Sequence, residues 1–159
     1  MDTQAIFGLQ FLLSVLVWSV VAKWLVVPWL DGMSRRHALS WLTVPHAFRH
    51  IGMVFLVPGV VAEPLPSDFA NPAAYGDLLS GILALLAFIA LRTGASVAIP
   101  LVWLFNVIGT VDLANALRHM DVAPYFGAAW YIPTFLVPLL LVTHFMIFVR
   151  LLRGDRSAE

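Results

Sequence analysis

The sequence predicts an all-helical integral membrane bundle: one domain of five transmembrane helices, N-terminus outside and C-terminus cytoplasmic. Three observations carry this. Hydrophobic residues fill 61% of the 159 positions and charged ones 11%, where a soluble domain is about half apolar and about a quarter charged. The apolar residues come in blocks close to the roughly 20 residues that a helix needs to cross a bilayer. The arginines fall mostly on one side of the alternating loops, the pattern that marks a cytoplasmic face.

The first span is expected over Gln4–Trp29 (4–29). It has no basic N-terminal region and ends in "VVPWLDG" without a small-residue cleavage pattern, so it reads as an uncleaved anchor rather than a signal peptide. The second span (39–63) starts at Leu39 or at Pro45, a favoured first-turn residue, and runs to about Glu63. The third, Asp77–Leu91 (77–91), is short and needs flanking residues or a thinned bilayer to span. The fourth covers Ser96–Leu117 (96–117) and the fifth Ala129–Val149 (129–149). Between them "LDGMSR", "EPLPSDFANPAAYG", "RTGAS" and "HMDVAPYFGA" supply turn-forming residues.

Orientation follows from the bases. Arg35 and Arg36 lie in the first loop, Arg92 in the third, and Arg150, Arg153 and Arg156 in the C-terminal tail. The second loop has Glu63, Asp68 and Asp77, and the fourth has Arg118 alone. That asymmetry implies a multi-pass protein of the cell inner membrane. Trp24, Trp29, Trp41, Trp130 and Tyr131 fall near span ends, as interfacial aromatics do.

Composition also excludes. With no cysteine there are no disulfides, thiolate metal sites or cysteine nucleophiles. Nine Lys and Arg against nine Asp and Glu leave no basic excess for nucleic acid.

The unusual stretch is "TVPHAFRHIGMVFLVPGVV", which sets two histidines and an arginine in apolar surroundings. On an α-helix His46 and His50 share a face, with Arg49 beside them. A start at Leu39 buries His50 in hydrocarbon, whereas a start at Pro45 leaves "HAFRH" at the cytoplasmic edge. By helical rise, His46, His144 and Lys23 fall at similar depth in the cytoplasmic half, with Arg49, His50 and Asn106 about a turn farther in. Ionisable groups inside a membrane usually face the bundle interior or a cavity, so a shared polar site is expected there. Singly, Lys23 can snorkel, His144 can bond a backbone carbonyl, and Asn106 with Thr110 can tie helices together. Arg49 does not deprotonate and needs an anion, either Asp112 or a ligand's own negative group. Asp112, Asn115 and His119 form a second stripe toward the outer face, and Pro58–Gly59, Pro100, Pro133 and Pro138 interrupt helices that can line a cavity.

The first functional expectation is a site that binds a small lipophilic or anionic ligand, quinone-, isoprenoid- or lipid-like, built from His46, Arg49, His50, Asn106, Asp112 and His144. A second is haem b held by His46 or His50 with His144, or a divalent metal held by His46, His50 and His144; the H-x3-H spacing lacks the glutamate of HExxH. A third is an enzyme using His46 or His50 as general base, although no nucleophile is placed beside them. The last is an accessory subunit whose polar residues seal contacts with an oligomer or complex partner.

Overall fold

The described residues of this computed structural model, 1–62 and 65–153, form five helices and no strand. Helix α1 is Thr3–Asp31, α2 Arg35–Ala47, α3 Ser67–Thr93, α4 Ala98–Ala116 and α5 Gly127–Arg153. A 3-10 segment, Phe48–Leu56, prolongs α2; another, Leu117–Tyr125, prolongs α4 past a kink at His119 (φ −104°, ψ 41°). Four of these units are long and apolar enough to cross a membrane: α1, α3, α4 through His119, and α5. Glu63 and Arg156, on which the second span's end and part of the tail's charge were placed, lie outside the described residues.

The second and third expected spans change most. Helix α2 starts at Arg35, capped by Ser34, whose hydroxyl accepts from His37 N, so Pro45 lies inside the helix and not in its first turn. Proline has no N–H for the carbonyl four residues back, and by Phe48 (φ −86°, ψ 2°) the chain has tightened to 3-10 geometry. Helical structure then stops at Leu56, where Val57 turns extended and Gly59 takes φ +82°. The third helix is much longer than 77–91. It takes in Ser67, Asp68 and Pro72, so Asp77 lies in its interior instead of at its outer end. An acid in the first turn suits the positive end of the helix dipole, and Gly94 (φ +75°) closes the other end.

Helix α3 is the central strut, packed on α2, on the first 3-10 segment and on α4. Its buried residues are mostly small, including Ala73, Ala74, Ser80, Gly81, Ala84 and Ala87, which lets backbones approach closely. A Cβ on Gly81 would stand 3.2 Å from His50 N and 3.5 Å from Ala47 O. Helix α1 lies at the margin. Phe7, Ala22 and Leu30 are its buried residues, and two indole hydrogen bonds join it to α5: Trp18 Nε1 donates to Phe135 O (3.2 Å) and Trp130 Nε1 to Gln10 Oε1 (2.6 Å). Phe135 sits in a π-helical turn, Ile132–Leu136, ahead of Pro138.

Two apolar clusters fill the interior. One joins Leu30, Leu39, Leu42, Val102, Phe105 and Ile147, and the other Phe7, Phe55, Phe69, Val122 and Phe126. Along α2, α3, α4 and α5 alike, the buried polar residues come between the positions belonging to the two clusters. Leu79, Ile82, Leu86, Ile89, Val111 and Phe145 point outward, a surface suited to lipid.

Gly81→Val should therefore destabilise the bundle by about 1–3 kcal/mol through overpacking, lowering the unfolding temperature in detergent. Gly8→Val, whose Cβ meets nothing within 4 Å, should change stability by less than about 0.5 kcal/mol.

Candidate functional site

Arg49 is the largest fully buried side chain, with 1% of its surface exposed. The geometry of its own segment puts it there. A 3-10 helix has three residues per turn, so positions three apart eclipse. Thr43, His46, Arg49, Gly52 and Phe55 are all buried, one every third residue from late α2 through the 3-10 segment. His50, which an α-helix would have kept on the face of His46, is instead exposed, its Nδ1 3.1 Å from Ala47 O.

The guanidinium meets groups from three other helices. Nε donates to Asp77 Oδ1 (2.7 Å) on α3, and Nη2 to Asp112 Oδ2 (2.5 Å) on α4. Nη1 donates to Gly109 O (3.0 Å) and lies 3.4 Å from His144 Nε2 on α5. The histidine's tautomer follows from Asn106. That amide donates from Nδ2 to His144 O (3.3 Å), so its Oδ1 accepts from His144 Nδ1–H (2.7 Å). Nε2 is left with the lone pair that faces Arg49.

His46 belongs to an adjoining layer. Its ring centroid is 4.0 Å from that of His144, and Phe105 packs on both. The Thr143 hydroxyl is in reach of Leu139 O (2.9 Å) and Leu140 O (3.1 Å), so it spends its proton on a carbonyl and accepts from His46 Nε2–H (3.0 Å). His46 Nδ1 then carries no proton, and it is buried without a partner among the described residues.

Three glycines make the room. A Cβ on Gly52 would collide with the Asp77 carboxylate, and one on Gly76 with that of Asp112. One on Gly109 would come within 2.7 Å of Arg49 Nη1 and 2.8 Å of His144 Cε1. Each buried polar group thus lies against a helix backbone that lacks a side chain.

Of the six expected site residues, His46, Arg49, Asn106, Asp112 and His144 come together, and His50 does not. Lys23 is exposed and takes no part. Asp77, Gly109 and Thr143 belong to the cluster although the sequence reading left them out. The anion expected for Arg49 is Asp112, together with Asp77. The three-histidine metal set is not assembled: among the described residues no group of three or more His, Asp or Glu side chains is placed to hold a metal. Nor do the expected haem ligands face each other: the ring centroids of His46 and His144 are 4.0 Å apart, with no room for a macrocycle between them, and His50, the alternative partner of His144, is exposed.

Beside the cluster lies a small cavity of about 40 Å³, walled by four phenylalanines, Phe7, Phe55, Phe69 and Phe126, together with aliphatic side chains. Asp77, Asp112 and His119 are its polar lining residues; Arg49 is not among them. A shallower cleft beside it is lined by Asp112, Asn115, His119 and Asp68, so the expected second stripe is the cavity's polar margin. Cavity and cleft extend away from the arginine-bearing helix ends, toward the opposite end of the bundle from the half where the site was expected. The reason is that both carboxylates lie on the far side of Arg49.

Residues 6–152 match the family described as a domain of unknown function, DUF8737, and the chain belongs to that family. No curated protein and no solved structure matches it.

Removing Arg49 strands two carboxylates in a poorly solvated interior. Arg49→Ala should cost about 3–5 kcal/mol, read as a fall in unfolding temperature. Arg49→Met combined with Asp77→Asn and Asp112→Asn should recover most of that loss, since no buried charge is then unpaired.

Proposed function

We propose that this chain is a five-span inner-membrane protein that binds a lipophilic small molecule in the phenylalanine-walled cavity, with Asp77 and Asp112 as its polar end. One observation carries the reading: an otherwise mainly apolar cavity, four of its wall residues phenylalanines, ends on two carboxylates that Arg49 pairs with and orients. A mostly apolar pocket with a few convergent polar groups is the usual form of a small-molecule site, and intramembrane ionisable residues usually serve function. Arg49 acts here by aligning the carboxylates, not by touching the ligand.

Two features support the fifth span and its direction. Helix α2 with its 3-10 extension contributes 13 and 9 residues, which at about 1.5 and 2.0 Å per residue is long enough to cross. The bases converge on shared helix ends. Arg35 donates to Arg150 O and Leu151 O, Arg36 donates to Ala95 O, Arg92 Nη1 lies 2.9 Å from His37 Nε2, and Arg150 pairs with Asp31. Under the positive-inside rule this end is cytoplasmic, the N-terminus is outside, and the cavity opens in the outer half.

The native chain has no cysteine, so single cysteines report topology without background. Gln4→Cys should react with a membrane-impermeant maleimide in intact cells, and Arg153→Cys only after permeabilisation; the reverse pattern would refute the orientation. For binding, an uncharged lipophilic diazirine photolysed with the protein in nanodiscs should label peptides containing Phe7, Phe69 and Phe126. Filling the cavity with Ala116→Phe should remove that labelling. Labelling unchanged by the filled cavity would sink the reading.

A further inference from the structure

We propose that the cavity takes a lipophilic cation, such as a protonated amine on an apolar body, with the ammonium seated between Asp112 and Asp77. The inference rests on the cavity being a ligand site and names the charge of what enters it.

Three independent features of the site select a cation. The first is charge balance. One guanidinium faces two carboxylates, and if both are ionised the cluster carries a net −1. An unbalanced charge in a low-dielectric interior is costly, and a ligand bearing +1 removes the imbalance.

The second is the disposition of donors and acceptors. Four of the five N–H groups of Arg49 are directed at Asp77, Asp112, Gly109 O and His144. The carboxylates, by contrast, each bind Arg49 through one oxygen. Among the described residues Asp112 Oδ1 and Asp77 Oδ2 have no hydrogen-bond donor; each packs on one side against a glycine, Gly76 and Gly52 respectively, and both residues line the cavity. An ammonium group, with up to three N–H donors, fits those acceptors. A carboxylate or phosphate arriving by the same route meets two like charges, with the His119 ring as the side-chain donor in the lining.

The third is the wall. Phe69 lies with its ring centroid 5.6 Å from Phe126, and Phe7 lies 5.8 Å from Phe126. Aromatic faces attract a cation through the ring quadrupole, more strongly once it is desolvated. They also accommodate the apolar body, so the same walls serve both parts of the ligand.

The test compares three probes sharing one benzene-sized body, chosen to suit a small cavity: benzylamine, benzyl alcohol and benzoate. Each competes with the diazirine probe in nanodiscs of zwitterionic lipid, near neutral pH. The amine should compete at roughly tenfold lower concentration than the alcohol, and the carboxylate should be the weakest. Asp112→Asn should bring amine and alcohol to equal potency. Equal potency of amine and alcohol on the unmodified protein, or a strongest carboxylate, would overturn the cation proposal and leave the cavity reading intact. Failure of the diazirine probe and of all three competitors to bind would instead remove the cavity reading itself. Should Asp112→Asn fail to fold, the order of potency on the native protein decides alone.

Discussion

A guanidinium that cannot lose its charge sits in the middle of this bundle, and the surrounding architecture is organised by the need to satisfy it. Arg49 reaches α3, α4 and α5 at once, so no two of those helices can slide past each other without breaking a charged hydrogen bond. Such pairs contribute little to stability relative to well-packed apolar residues and a great deal to uniqueness of register when one partner cannot be removed cheaply.

The glycines express the same constraint in the backbone. Helical glycine costs about 1 kcal/mol relative to alanine, yet Gly52, Gly76 and Gly109 each stand where a methyl group would strike a polar atom of the cluster. Close backbone packing brings the carboxylates to the guanidinium and shields them from lipid. It also leaves Asp77 and Asp112 among the residues that line the cavity, so one arrangement serves both the fold and the proposed site.

Much of this was readable in the residues. Blocks such as "FGLQFLLSVLVWSVV" and "FLVPLLLVTHFMIFV" mark α1 and α5 within a few positions, and α4 agrees within two at its start. Depth along three helices places His46, Arg49, Asn106 and His144 near one another, with Asp112 farther out and reached only by an outstretched Arg49. What was not readable has specific causes. Nothing in "HAFRHIGMVFL" announces a switch from 3.6 to 3.0 residues per turn, and that switch alone exchanges His50 for Arg49 on the inner face. Asp77 was missed because "PSDFANP" has the composition of a loop, although it forms the first turns of α3. A signal was present in Gly52, Gly76 and Gly109, whose expense inside helices points to something bulky opposite.

The threefold stripe from Thr43 to Phe55 has a further consequence for how such a chain can vary. In 3-10 geometry each residue advances the chain by about 120° around the axis, so adding or deleting a single residue between His46 and Gly52 would swing the guanidinium a third of a turn, away from both aspartates. The length of this segment is thus as tightly specified as the identity of Arg49. Three added residues would keep the face but move Arg49 about 6 Å along the axis, so length changes are best accommodated beyond Leu56, where the chain has already left the helix.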